Sequence, residues 1–361
     1  MDAPTKTFLL DLLNTPSPTG WETGGQKVWM DYVRGHADRV EHDAYGTAWA
    51  TLEGQGDTPR RIMLEAHADE IGFIVKQITS DGFLRLDRVG GSDTATARGR
   101  RIQFLGEKGS VMGIIGNTAI HLRKDSLGDE KAPKIHELYV DVGATSAAEV
   151  AKLGLRVGIP AVYADSAQEF GKDRLVGRAL DNRLGGFILA QVLARLAKRR
   201  KKLRSTVIAV NAVQEEIGGH GARMAAYRLN PDVAIVLDVT HATDTPGIDH
   251  AVHGDVKLGA GPTITHGTCN HPRVINRLLK VAADTKIPIQ HESSGRYSGT
   301  DTDVIFNVRE GIPSALISFP LRYMHSVVEM ADLRDVEKTI TLLVAFVESV
   351  TEGDDFKVKL T

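Results

Sequence analysis

Apolar residues in the second half of the chain alternate between helical and strand spacing. Residues 181–198 place apolar side chains at helical intervals, including Leu184, Ile188 and Val192, so a helix is predicted there. Residues 206–213 and 233–237 are mostly apolar runs typical of buried strands. Helices are also predicted over 272–285 and 336–347, with a strand over 315–319 between them. Strands that alternate with helices predict an α/β domain whose sheet is covered on both faces.

The first half of the chain has a different pattern. Helices are predicted over 8–13 and 26–33, and strands over 40–52 and 61–65, the second of which leads directly to His67. From residue 71 to about 162, short β-rich segments recur at 71–78, 83–86, 101–105, 110–115 and 138–142. Gly, Asp and Ser separate them and supply turn geometries. We therefore expect a compact β module inserted into the α/β domain.

The composition limits the cellular location and the binding partners that are expected for this chain. The 361 residues are 42% hydrophobic and carry a net charge of -2, so no overall field attracts nucleic acid or an anionic membrane. The basic run at 198–202 follows a predicted helix, has no aromatic platform beside it and is interpreted as a solvated helix end. A single cysteine, Cys269, excludes an internal disulfide. No signal peptide and no apolar run of about 18 residues is recognisable, so a cytoplasmic location is expected.

Candidate metal ligands follow several predicted strands or begin a helix. They are His67, Asp181, the Glu215 and Glu216 pair, Asp238 and His325. Side chains after strand ends point into the crevice where open α/β sheets bind ligands. Each residue alone also has an ordinary explanation: Asp181 suits a helix N-cap, for example, and His325 suits an exposed surface.

Five motifs together resemble one family. In chain order they are His-Ala-Asp-Glu-Ile-Gly-Phe from His67, Ala-Leu-Asp-Asn-Arg from Ala179, Gln-Glu-Glu-Ile-Gly from Gln214, Asp-Val-Thr-His-Ala from Asp238 and Arg-Tyr-Met-His-Ser from Arg322. The set resembles the tetrahedral-assembly (TET) glutamyl and deblocking aminopeptidases, and the resemblance covers nearly the whole chain. It implies a zinc-aminopeptidase-like α/β fold with a mixed sheet, and a metal-dependent aminopeptidase that removes N-terminal residues from short peptides.

The resemblance also implies the roles of the site residues. One divalent ion would bind His67 and Asp238, a second would bind Glu216 and His325, and Asp181 would bridge both. Zinc is the expected metal, with cobalt or manganese as alternatives, because all three accept nitrogen and oxygen ligands. Glu215 would act as general base and then acid on the attacking water. Asp69 would orient His67, as carboxylates beside metal-bound histidines commonly do.

The same resemblance implies a domain division and an assembly. Residues 1–70 and 163–361 would form the catalytic domain, and residues 71–162 would form a PDZ-like β domain used in subunit contacts. The expected assembly is a homo-oligomer, a dodecamer by resemblance. His241 and Asp301 are further candidates for substrate contacts, since His241 follows Asp238 closely and Asp301 lies in a Ser-Gly-Thr-Asp turn.

Three alternatives remain open at this stage. The same metal centre would also serve an N-acyl amino acid or specialised-metabolite amidohydrolase, because pocket residues outside the motifs select the substrate. A glycosidase would need two carboxylates facing each other across a sugar, roughly 5–9.5 Å apart, which the adjacent Glu215 and Glu216 suit poorly. A non-catalytic scaffold would be expected to have lost ligands or the general base, whereas every expected position is occupied.

Overall fold

The computed structural model describes residues 1–122 and 131–360. Within them the nine α-helices are α1 (Ala3–Asn14), α2 (Thr23–Val33), α3 (Ala147–Lys152), α4 (Leu180–Lys198), α5 (His220–Leu229), α6 (His250–His253), α7 (Pro272–Thr285), α8 (Thr302–Ile305) and α9 (Leu333–Ser349). The strands of the same residues are β1 (Arg39–His42), β2 (Ala48–Leu52), β3 (Arg61–His67), β4 (Gly72–Ile78), β5 (Leu84–Val89), β6 (Arg101–Gly106), β7 (Gly109–Ile115), β8 (Tyr139–Asp141), β9 (Pro160–Tyr163), β10 (Gln168–Phe170), β11 (Arg174–Gly177), β12 (Thr206–Ala212), β13 (Val233–His241), β14 (Thr263–Gly267), β15 (Gln290–Ser294), β16 (Ser314–Leu321) and β17 (Glu329–Asp332).

The largest sheet in the described part of the chain has eight strands in the order β1-β2-β12-β3-β13-β16-β14-β15. Its central strands β12, β3, β13 and β16 run parallel, whereas β2 and β14 pair antiparallel on either side of them. The sheet is therefore mixed. Every residue of β12 and β16 is buried. A strand covered on both faces needs apolar side chains on both, which explains the nearly continuous apolar runs in the sequence.

Helices cover both faces of this sheet, as the alternating pattern predicted. On one face α1, α2, α4, α7 and α9 share a hydrophobic core with the strands. On the other face α5 and α8 pack through residues such as Ala225 and Ile305 against Met63 and Val210. Helix α4 is buried around most of its circumference, because α1, α2 and α9 contact it on the sides that the sheet leaves free.

The inserted segment forms a closed six-stranded barrel, β4-β5-β8-β7-β6-β9. Its own core includes Phe73, Phe104 and Val140, so it buries apolar surface independently of the main sheet. The β-rich module expected from the sequence is present, but a PDZ-like architecture is not confirmed. A smaller three-stranded sheet, β10-β11-β17, lies beside the main one. None of the helices in residues 1–122 and 131–360 has both the length and the apolar character needed to cross a membrane.

A buried ion cluster centred on Glu70 joins the end of β3 to helix α4 and the N-terminal loop. Both Arg178 and Arg183 donate to the Glu70 carboxylate, which also accepts the backbone N–H of Ser17. These three charged side chains are almost fully buried. The cluster therefore holds the segment that follows His67 against helix α4 and the N-terminal loop.

Removing one partner of this cluster should destabilise the protein strongly. We expect Glu70→Ala to lower the free energy of unfolding by about 3–5 kcal/mol, because two guanidinium groups would remain buried without their counter-charge. Urea denaturation followed by circular dichroism measures the change. Asp31→Ala is the matched control, since it breaks only exposed pairs, with Lys27 and with Arg34, and should cost no more than about 1 kcal/mol. Equal losses in both variants would contradict a structural role for the cluster.

Candidate metal centre

Parallel strands place several site residues at one edge of the main sheet. His67 is the last residue of β3 and lies opposite Ala212, the last residue of β12. Glu215 and Glu216 follow β12 by only a few residues. Strand β13 pairs with β3 through Val236 and Glu65, which brings Asp238 level with His67. The carboxyl ends of these strands therefore bring residues from separate segments into one crevice, as expected for open α/β sheets.

Unusual backbone conformations occur in the segments that carry the site residues. Ala179, Gln214, Tyr323 and His325 all have φ near +60°, in the left-handed region. Non-glycine residues adopt this conformation rarely, because the Cβ crowds the carbonyl, and such strain is concentrated at functional sites. Local sequence preference alone would not select these conformations, so the surrounding tertiary contacts must stabilise them.

Two groups of side chains share Asp181. In the first, His67 Nε2 lies 3.1 Å from Asp181 Oδ1 and 3.7 Å from Asp238 Oδ1. In the second, His325 Nε2 lies 3.3 Å from Asp181 Oδ2 and 3.5 Å from Glu216 Oε1. The possible ligand atoms within each group lie within 4.8 Å of one another. The two Asp181 oxygens thus face different histidines, which is the arrangement that a bridging carboxylate requires.

Glu215 lies beside the first of these groups and lines the same cavity. Its Oε2 is 3.9 Å from His67 Nε2, and the side chain retains some solvent exposure. Behind it, the Asp69 carboxylate accepts the backbone N–H groups of Glu215 and Glu216 at 3.0 and 3.2 Å. The backbone carbonyl of Asp69 lies 3.2 Å from His67 Nδ1, and its carboxylate lies 3.5 Å from the same atom. Asp69 therefore contacts both His67 and the Glu215–Glu216 segment.

The charge balance of the crevice suits bound cations. Burial raises the pKa of Glu215 to about 7. Burial, and to a lesser extent the charge of Asp181, raise the pKa values of Glu216 and Asp238 well above their usual range. Burial acts in the same direction on Asp181, but hydrogen bonds from His325 and His67 lower its pKa overall. Crowded carboxylates of this kind are stabilised in their charged form by a nearby cation. Histidine and carboxylate donors together fit divalent zinc, cobalt or manganese.

The crevice opens into a cavity of about 690 Å³. The candidate ligands and Glu215 line it, and so does His241 from the end of β13. Asp301 does not line the cavity. It is buried beneath it beside Glu65, and burial together with the Glu65 charge raises the pKa of Asp301. Direct contact between Asp301 and substrate is therefore not supported, whereas the neighbouring Ser298, Thr300 and Asp303 line the wall.

Three residues near the centre were absent from the sequence prediction. Glu329 is buried and accepts the backbone N–H groups of His325 and Asp181 at 2.8 and 3.2 Å. Glu65 lies two residues before His67 on the same strand, and burial raises its pKa to about 8. Gly91 comes from the inserted barrel, and its carbonyl lies 3.3 Å from His325 Nδ1. Glu65 is an acidic residue that directly follows the buried apolar residues Ile62, Met63 and Leu64, which is the signal that could have identified it. Glu329 begins a short strand that also contains Asp332, so the sequence offers no such contrast there.

Comparison with known proteins places these features in context. The M42 glutamyl aminopeptidase family matches residues 46–342. A lysyl aminopeptidase of Pyrococcus furiosus is 33% identical over 344 residues, which cover 95% of this chain and 96% of that protein. The solved structure of an aminopeptidase from the archaeon Desulfurococcus kamchatkensis has a TM-score of 0.89 and 33% identity, covering 96% of each chain. The TET1 peptidase of Pyrococcus horikoshii, which can assemble into a tetrahedron or a large octahedral shell, has a TM-score of 0.83 and 28% identity, covering 96% of this chain and 100% of that one.

Proposed function

Because the chain belongs to the M42 glutamyl aminopeptidase family, we propose that its crevice is a two-metal centre that removes N-terminal residues from short peptides. The protein is a metal-dependent aminopeptidase, a hydrolase acting on peptide bonds. The number and identity of the ions, the role of each residue and the substrate class form the proposal. The observation that carries it is the position of Asp181, whose two oxygens face two different histidines.

The proposed ligands fall into two sets. His67 and Asp238 would bind one ion, Glu216 and His325 would bind the other, and Asp181 would bridge them. Zinc is the proposed metal, with cobalt or manganese as alternatives. Each set supplies three protein ligands, which leaves room for water and substrate as a catalytic site requires. The close approach of His67 to Asp181, and of His325 to both Asp181 and Glu216, supports this assignment.

Two divalent ions bound there would polarise a scissile carbonyl and make a water molecule more acidic. The remaining steps belong to the protein. Glu215 faces the cavity and is placed to take a proton from the water and later to give it to the leaving amine. Asp69 keeps this segment in position by accepting the N–H groups of Glu215 and Glu216. The cavity volume of about 690 Å³ lies in the range of small-ligand sites, which supports short peptides as substrates.

We extend the proposal to the domains and the assembly. Residues 1–70 and 163–361 would form the catalytic domain, and the barrel within residues 71–162 would contribute subunit contacts. A relative of known structure is described as a dodecamer, and TET homologues form large oligomers. A homo-oligomer, specifically a dodecamer, is therefore proposed for this chain.

A substrate panel tests the proposed activity. We expect amino acid p-nitroanilides and short unblocked peptides to be hydrolysed from the N-terminus. Exhaustive chelation should lower the rate at least ~100-fold, and zinc, cobalt or manganese should restore it, because the ions activate the water. N-acetylated amino acids serve as the contrasting substrates. Metal-dependent hydrolysis of these alone would favour the amidohydrolase alternative, and a rate unaffected by chelation would contradict the metal centre.

A further inference from the structure

The inserted barrel contacts the candidate metal centre directly. The loop after β5 leaves the barrel and brings Gly91 into the cavity wall beside Asp181, Glu216 and His325. The Gly91 carbonyl lies 3.3 Å from His325 Nδ1. A carbonyl can only accept a hydrogen bond, so this contact requires the proton on Nδ1. The lone pair of Nε2 then faces Asp181 and Glu216, where the second ion is proposed to bind.

Both glycines of the loop are needed for this close approach. A Cβ on Gly91 would lie 2.6 Å from His325 Nδ1 and 2.7 Å from its Cε1. A Cβ on Gly90 would lie 3.1 Å from Glu216 Cβ, and the φ of Gly90 is +66°. Glycine is the residue that combines a left-handed backbone with such proximity at little cost. The loop therefore packs against two proposed ligands of the same ion.

The loop is attached firmly to the barrel. Ser92 is fully buried, and its hydroxyl donates to the Gly72 carbonyl of β4 at 2.8 Å. A second contact joins the two parts of the chain. Val327, two residues after His325, packs into the barrel core with Phe73 and Tyr163. The ring of His325 thus contacts a barrel carbonyl, and the chain two residues after it is anchored in the barrel core.

This attachment compensates for an unfavourable backbone. His325 has φ +60°, a conformation that is unfavourable for a non-glycine residue and persists only where surrounding contacts enforce it. Glu329 accepts the His325 N–H, and the barrel supplies the contacts to the ring and to Val327. Without the barrel contacts, the ring would lose the partner that selects its tautomer.

We propose that the inserted barrel is part of the active site, and that the Gly90–Gly91 loop positions His325 to bind the second metal ion. The residues of the loop are positioning residues, because they act through His325 and Glu216 rather than on the substrate. The inference rests on the proposed two-ion centre. It also predicts that displacement of the barrel weakens the second ion selectively, because the loop packs against His325 and Glu216, two proposed ligands of that ion.

Zinc binding to Gly91→Ala tests the proposal. After chelation, each protein is titrated with zinc alone in competition with a chromophoric chelator, and bound zinc is counted by mass spectrometry. We expect Gly91→Ala to retain one tightly bound ion and to lose affinity for the other roughly 10–100-fold, the usual effect of disturbing a partner of a metal ligand. Ser92→Ala, which releases the loop from Gly72, should change the same affinity in the same direction by a smaller factor and is the second test variant.

Gly99→Ala is the matched control in the barrel. Gly99 has φ +76°, and a Cβ added there would meet none of the described atoms within 4 Å, so the change strains the barrel backbone without touching His325. It should retain both ions at wild-type affinity. Two ions at wild-type affinity in both Gly91→Ala and Ser92→Ala would overturn the inference alone. Fewer than two ions in the wild type would overturn the two-ion centre and the inference with it.

Discussion

Glu215→Gln should bind metal like the wild type and turn over substrate about a thousandfold more slowly. The amide keeps the size of the side chain but cannot accept the proton of the attacking water, and general acid–base groups typically contribute 10²–10⁴-fold to the rate. Glu215 faces the cavity, and its carboxylate is no closer than 3.9 Å to His67. We therefore expect the loss in kcat, with bound metal unchanged when it is measured by mass spectrometry.

Glu216→Gln provides the contrast, because the two residues are adjacent and the substitution is the same. Glu216 lies 3.5 Å from His325 and is a proposed ligand, so this variant should lose affinity for one ion as well as activity. Excess zinc should restore part of the activity of Glu216→Gln. It should not restore the activity of Glu215→Gln, whose ions are expected to be bound already. Metal loss in Glu215→Gln, with metal retained in Glu216→Gln, would mean that the two roles are exchanged.

The parts of the fold that were predicted are those with strong apolar patterns. The central strand β12 and the helices α4, α7 and α9 were expected close to their observed bounds, whereas β13 begins as expected but continues four residues further, to His241. Residues 40–52, in contrast, were expected as one strand and form β1 and β2. Asp43 explains the break, since its side chain accepts the N–H groups of Tyr45 and Thr47 and stabilises a turn.

Strands at the edges of the sheets were missed for a different reason. Strand β15 has the sequence Gln-His-Glu-Ser-Ser and alternates between partly buried and exposed residues. It has no apolar face, so its sequence shows no alternation of apolar and polar residues. Its position depends on pairing with β14. Pairing of this kind is a tertiary property, so a single sequence carries little signal for it.

Sequence and structure contribute differently to the candidate site. The sequence places His67, Glu216, Asp238 and His325 after predicted strands and Asp181 at a predicted helix start, and the structure brings these five side chains into one crevice. Asp238 lies within β13 rather than after it, because that strand continues to His241. Their ligand roles remain a prediction. Gly91 could not have been identified, because it lies more than 200 residues from His325 in the chain and acts through its carbonyl. A backbone group leaves no side-chain pattern, and only the packing of the barrel against the rest of the chain reveals it.

Asp181→Ala should abolish activity by removing metal, in contrast to Glu215→Gln. The bridging carboxylate is shared by both proposed sets, so its loss should weaken both ions by more than ~100-fold, beyond the effect of disturbing a partner of one ligand. Zinc counting and titration, as for the other variants, measure the change. The backbone N–H of Asp181 donates to Glu329, and alanine retains that bond, so the fold of the segment should survive.

Asp335→Ala is the control variant. It distinguishes the effect of losing metal from the general effect of removing a buried aspartate. Asp335 is also buried, and it accepts the N–H groups of Gly259 and Gly261 away from the crevice. Its removal leaves those donors unpaired and should lower the free energy of unfolding by about 1–3 kcal/mol, while both ions remain bound. If Asp181→Ala kept one ion at wild-type affinity, Asp181 would belong to a single ligand set. His67 and His325 would then belong to separate metal sites, and the proposed two-metal chemistry would lack the carboxylate that joins the two ions.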